Sequence, residues 1–120
     1  IHVIEENPFI ADLLRIVLEG VGYTVDIVTD FEEARTLALS SLPDMVLLDI
    51  EMNVQLGLDY VRWAKEVEGM HFPIVLMGHG EEMRHLVGSL VADGWVRMPF
   101  DLDDLVALIN RLISRPQHER

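Results

Sequence analysis

Two short stretches constrain the fold of this chain more than any others. Met45–Leu48 and Ile74–Met77 are continuous apolar runs, each preceded by a proline, Pro43 and Pro73. A strand with one wet face alternates polar and apolar residues, whereas a run without polar residues must be covered on both faces. Two such runs predict central strands of a sheet that has helices packed on either side.

The remaining segments complete that pattern. Ile1–Ile4 is a first apolar run, Thr24–Val28 a mixed one, and Trp95–Met98 a second of mixed character. Between them, Ile10, Leu13, Leu14, Val17 and Val21 recur at helical spacing behind Asn7 and Pro8, a favoured cap and first-turn pair. Gly20 and Gly22 end that helix. Asp30 with Glu33, and Asp101 with Asp104, start two more helices, the first with a capping-box spacing. Gly57 falls near the end of a loop before a helix carrying Leu58, Val61, Ala64 and Val67, and Glu81 to Ala92 reads as a further helix. Five strands alternating with five helices predict a doubly wound parallel sheet. The mixed strands two and five belong at its edges, which gives the order 2-1-3-4-5 with right-handed crossovers. The switch point then lies between strands one and three, and sites in such sheets form at the strand carboxyl ends there.

Composition bounds the function. The 120 residues suit one domain, taken as residues 1–114, with a polar tail or linker start at 115–120. Half the residues are hydrophobic, enough for a core, and there is no cysteine for disulfides or thiolate zinc sites. That fits a reducing, cytoplasmic setting. No apolar run approaches the roughly 18 residues of a membrane span, and no signal peptide opens the chain. Because the first residue is Ile1, the native start is expected upstream. A formal charge of −12 argues against direct nucleic-acid binding by this domain and admits metal cations or basic protein surfaces. The histidines show no ligand spacing for zinc.

The topology gathers acids. Glu5 and Glu6 follow the first strand and Asp49 ends the third, so the switch point brings all three together. Three close carboxylates repel one another, and a hard cation such as Mg²⁺ would relieve the conflict through oxygen ligands.

Those residues carry a family resemblance. Val3-Ile-Glu-Glu-Asn-Pro8 resembles the opening of a response-regulator receiver domain of two-component signalling. Pro43-Asp-Met-Val-Leu-Leu-Asp-Ile-Glu-Met52, with Gly57 eight positions after Asp49, resembles its phosphoacceptor segment. Ala92-Asp-Gly-Trp-Val-Arg-Met-Pro-Phe100 is similar to its fifth strand and following turn. The resemblance implies a flavodoxin-like receiver fold whose Asp49 accepts a phosphoryl group from a histidine kinase or phosphotransfer protein. It implies Mg²⁺ held by Glu6, Asp49 and the backbone carbonyl of Glu51, with Glu5 acting through water. It also implies a signalling surface that includes Trp95 and Arg97, a cis peptide before Pro99, an output domain elsewhere in the full-length chain, and pairing of two copies through the last two helices and the fifth strand.

The chain departs from the family at two switch positions. Gly78 stands where the family has Ser or Thr at the end of strand four, and Met98 where it has Lys before the Pro-Phe pair. The lysine would give a charged hydrogen bond worth about 1.5–3 kcal/mol to a phosphate oxygen. Glu6 is a methylene longer than the family's usual Asp, Asn53 replaces a common Pro, and the stretch from Gly78 to Met98 is about two residues short. His79 is the neighbouring group able to donate to a phosphate in their place. Two readings follow: a receiver that takes phosphate on Asp49 with weakened switch readout, or a degenerate pseudo-receiver that acts as a phosphorylation-independent interaction module. An aspartate-nucleophile phosphatase is the poorer third, since Asp49-Ile50-Glu51 lacks the second Asp of the usual Asp-x-Asp pattern. The chain is therefore read as a signalling module and not an enzyme.

Overall fold

The computed structural model describes residues 1–67, 70–80 and 92–114. In chain order the elements are β1 (His2–Ile4), α1 (Pro8–Gly20), β2 (Asp26–Val28), α2 (Phe31–Ser40), β3 (Val46–Asp49), α3 (Val54–Glu66), β4 (Ile74–Gly78), β5 (Gly94–Arg97) and α4 (Leu102–Ser114). The helix expected over Glu81 to Ala92 and the tail 115–120 lie outside the described residues, apart from Ala92.

The five strands form one parallel sheet in the order β2-β1-β3-β4-β5. The two all-apolar runs are indeed inner strands, and the mixed strands β2 and β5 are the edges. Side chains alternate between two apolar layers, as the pleat requires. Ile4, Val46, Leu48, Ile74 and Leu76 face α2 and α3, meeting Phe31, Ala34, Tyr60 and Val61. Val3, Leu47, Val75 and Met77 face α1 and α4, meeting Leu14, Leu18, Leu105 and Ile109.

Local chemistry starts α1, α2 and α4 where the sequence indicates. The Asn7 side chain accepts hydrogen bonds from the Phe9 and Ile10 N–H groups at 2.9 and 3.3 Å, with Pro8 in the first turn. Asp30 accepts from the Glu33 N–H at 2.7 Å, and Glu33 reaches back to the Thr29 N–H. Asp101 accepts from the Asp104 N–H at 3.0 Å. Gly22 takes a positive φ of 105° just after α1, a conformation that side chains resist.

Most strand limits move by one residue, β5 from the expected Trp95–Met98 to Gly94–Arg97 among them, and two larger differences have physical reasons. Helix α3 begins at Val54, because the Asn53 side chain caps it by accepting from the Leu56 N–H at 3.0 Å. Gly57 therefore lies inside the helix and not in the preceding loop. Its backbone packs so closely that a Cβ would come within 2.5 Å of Ile50 Cδ1. Strand β2 is shorter than Thr24–Val28, covering only Asp26–Val28, the three residues that register with His2, Val3 and Ile4.

Candidate functional site

Strand parity decides which side chains meet at the carboxyl end of the sheet. Asp49 continues the alternation Met45, Leu47 toward α1 and α4, and Glu5 continues from Val3 toward the same layer. On β5, Val96 and Met98 face that layer while Trp95 packs into the opposite one. Arg97, two residues from Trp95, is exposed. The two residues assigned to a signalling surface thus share one side of β5, and Met98 turns away from them.

A cavity of about 650 Å³ opens at this end of the sheet. Glu5, Glu6, Asp49 and Glu51 line its acidic part, with His79 beside them. Ile10, Leu13, Met98, Pro99, Phe100 and Leu102 form its apolar wall. Of the residues singled out by sequence, Glu5, Glu6, Asp49, Glu51, His79 and Met98 line this one concave feature, whereas Gly78, Trp95 and Arg97 do not.

Asp49 is half-buried, and one of its carboxylate oxygens accepts from the Glu51 N–H at 2.9 Å. That bond holds the side chain in place and leaves its second oxygen for chemistry. Glu5 is only 1% exposed. Its Oε2 accepts from the Asn7 N–H at 3.2 Å, while its Oε1 is buried with no donor among the described residues. Burial first, and then the adjacent Asp49 carboxyl, push the Glu5 carboxyl up to about 8. Near neutral pH the Glu5 carboxyl therefore keeps its proton. Glu6 is exposed and reaches the cavity from its rim.

Sequence reasoning valued Glu51 only for its backbone carbonyl. Its carboxylate accepts from the backbone N–H of His79, and its Oε1 lies 2.8 Å from His79 Nδ1. The two His79 bonds hold the Glu51 carboxyl below the usual carboxylate range. His79 is thus bound to Glu51 rather than to Asp49. An acid two positions after Asp49 was visible in the sequence, but its partner 28 residues later was not.

At the two switch positions the structure shows what the substituted residues do. Gly78 ends β4, and its carbonyl accepts from the Met98 N–H at 2.7 Å. Met98 is 9% exposed and packs with Met77 and Leu105. The peptide between Met98 and Pro99 is cis.

The donor set suits a hard cation. A buried, unpaired carboxylate oxygen beside Asp49 is the kind of atom that Mg²⁺ would satisfy. Among the described residues no group of three or more His, Asp or Glu converges on a ready-made metal cluster. Two carboxylates and a carbonyl, completed by water, remain compatible with that.

The fold and site define a class: doubly wound α/β domains of flavodoxin-like order with an acidic pocket at the β1/β3 switch point. The family model for the response regulator receiver domain matches residues 1–110. The chain is 31% identical over 121 residues to the DNA-binding response regulator MtrA of Mycolicibacterium smegmatis, covering 99% of this chain and 52% of that protein. It is 32% identical over 115 residues to the transcriptional regulatory protein DltR of Streptococcus agalactiae, covering 94% of this chain and 50% of that protein. The crystal structure of the signal receiver domain of a signal transduction histidine kinase from Syntrophus aciditrophicus superposes with a TM-score of 0.84 at 26% identity, covering 99% of this chain and 92% of that one. This chain belongs to the response regulator receiver domain family of two-component systems. It spans about half the length of the curated relatives it matches.

Proposed function

We propose that Asp49 is the phosphoacceptor of this receiver and takes its phosphoryl group from a histidine kinase or phosphotransfer protein. The observation that carries this reading is the placement of Asp49: at the mouth of the cavity, held by the Glu51 N–H and next to the buried Glu5. A carboxylate oxygen attacks phosphorus as the bond to the donor breaks, leaving an acyl phosphate on Asp49. Catalysis of such a transfer is largely positioning and charge neutralisation. Bound Mg²⁺ would supply that neutralisation at the phosphoryl oxygens, held by Asp49, Glu6 and the Glu51 carbonyl, with Glu5 acting through water. Glu5 holds a proton in the free pocket, which lowers the repulsion an incoming phosphoryl group meets.

The receiver unit runs over residues 1–114 and works in the cytoplasm. Among the described residues no helix is long and apolar enough to cross a membrane. Two of its relatives are named as DNA-binding or transcriptional regulators. By analogy an output domain lies elsewhere in the full-length protein, while this domain itself does not bind nucleic acid. Trp95 and Arg97 belong to the surface through which it signals, including any pairing of two copies.

A second reading is favoured by Met98 and Gly78. Met98 is built into the apolar layer and Gly78 has no side chain, so neither can report a phosphate. On that reading the domain is a pseudo-receiver whose surface works without phosphorylation.

Incubation with acetyl phosphate and Mg²⁺ separates the two. Intact-mass spectrometry should show one added phosphoryl group, absent from Asp49→Ala. Beryllofluoride with Mg²⁺ should change Trp95 fluorescence only weakly, and more strongly in the Gly78→Thr, Met98→Lys double variant. No mass gain at any donor concentration would reject phosphoacceptance and leave the pseudo-receiver.

A further inference from the structure

The cavity at Asp49 has two unlike halves. Four carboxylates gather at one end, and among the described lining residues there is no Lys or Arg. Among the described lining residues His79 is the one able to carry positive charge, and it is already paired with Glu51. The other half is an apolar wall, which includes Ile10 and Leu13 of α1 and Met98 and Phe100 after β5. At the acidic end, Glu5 is 1% exposed and its Oε1 is buried without a donor. A buried oxygen in that condition costs free energy until a donor or cation reaches it.

We propose that this cavity binds a primary alkylammonium group, with the ammonium beside Glu5 and Asp49 at the acidic end and the methylene stem along Leu13, Met98 and Phe100. An ammonium offers N–H donors to the oxygens of Glu5 and Asp49 that the Asn7 and Glu51 N–H groups leave free, and a positive charge that no described lining residue but His79 can carry. Its stem gains from an apolar wall in the way lysine stems cover apolar surface elsewhere. A hydrated Mg²⁺ satisfies the acids but gains nothing from the wall. A free anion is repelled by the acids. The ligand class is shared by a free aliphatic amine and by a lysine side chain of a partner protein. The inference deepens the reading of this cavity as the phosphoacceptor site, and its test uses no phosphoryl donor, so that the two can fail separately.

The experiment titrates n-butylammonium chloride into the isotopically labelled chain at constant ionic strength and follows amide NMR shifts. Saturable shifts are expected at Glu5, Asp49 and Phe100, with an affinity at least about tenfold above that of ammonium chloride, the contribution of a partly buried stem. n-Butanol should give no saturation. Glu5→Gln should weaken both cations. Leu13→Ser, at a residue 40% exposed and so compatible with folding, should weaken butylammonium while leaving ammonium unchanged. Met98→Lys, which brings an ammonium into the cavity from the chain itself, should abolish butylammonium binding. A short lysine-bearing peptide that saturates the same amides at lower concentration than butylammonium, and fails when acetylated, assigns the ligand to a partner's side chain. The reverse order assigns a free amine. Butylammonium binding no tighter than ammonium, or shifts scattered over the acidic surface without saturation, would overturn the proposal.

Discussion

Replacing Glu5 by glutamine keeps the shape of the side chain and removes the charge that burial opposes, which makes it the sharpest probe of the site's electrostatics. The folded-state Glu5 carboxyl titrates at about 8 against an ordinary 4.5. The folded state therefore binds more protons than the unfolded one between those values, so stability must fall as pH rises. The contribution is fully present below about pH 4.5 and is lost as pH passes through about 8. At about 1.4 kcal/mol per unit, the shift sets an upper bound of roughly 5 kcal/mol. Local relaxation and access of water lower that figure, and a loss of about 2 kcal/mol or more is expected between about pH 5 and 9. Urea unfolding of wild type and Glu5→Gln across this range measures it. The histidines and the overall charge contribute alike to both proteins, so the difference between the two curves isolates Glu5. The variant should be the more stable at high pH, and the gap should close toward low pH. Parallel curves, or a wild-type profile that rises with pH, would refute a Glu5 carboxyl kept protonated by burial beside Asp49.

Three further substitutions test the frame around the site. Asn53→Ala removes the cap on α3 and should lower stability by about 1 kcal/mol, read as a lower urea midpoint with an unchanged slope. Gly57→Ala places a Cβ within 2.5 Å of Ile50 Cδ1. Overpacking of about 1–3 kcal/mol should outweigh the roughly 1 kcal/mol that alanine gains in a helix, and a rise in Tm would show instead that Ile50 yields freely. Tyr60 is fully buried with no partner for its hydroxyl among the described residues, and burial pushes that hydroxyl up to about 12. Tyr60→Phe should leave stability unchanged or raise it by about 1 kcal/mol, and a clear loss in calorimetry would mean the hydroxyl is satisfied.

Much of this protein was legible without coordinates because the relevant physics is local or alternating. Apolar runs at Met45–Leu48 and Ile74–Met77 identify inner strands, since only a doubly covered strand tolerates them. Asn7, Asp30 and Asp101 mark helix starts because a side chain two or three residues away satisfies an otherwise unpaired N–H. The sheet order then places Glu5 and Asp49 at one end, and the absence of a hydroxyl at Gly78 and of an ammonium at Met98 is plain from residue identity alone. What required the tertiary structure is every relation between side chains distant along the chain. The crossovers decide that Glu5 Oε1 is buried beside Asp49, that the Glu51 carboxylate is taken by His79, and that Gly57 lies inside a helix against Ile50. They also decide that Met98 packs inward among Met77 and Leu105 and forms one wall of the cavity at Asp49. Residue types set which groups can titrate, pair or pack. Burial and close approach, which only the folded chain has, decide which of them do.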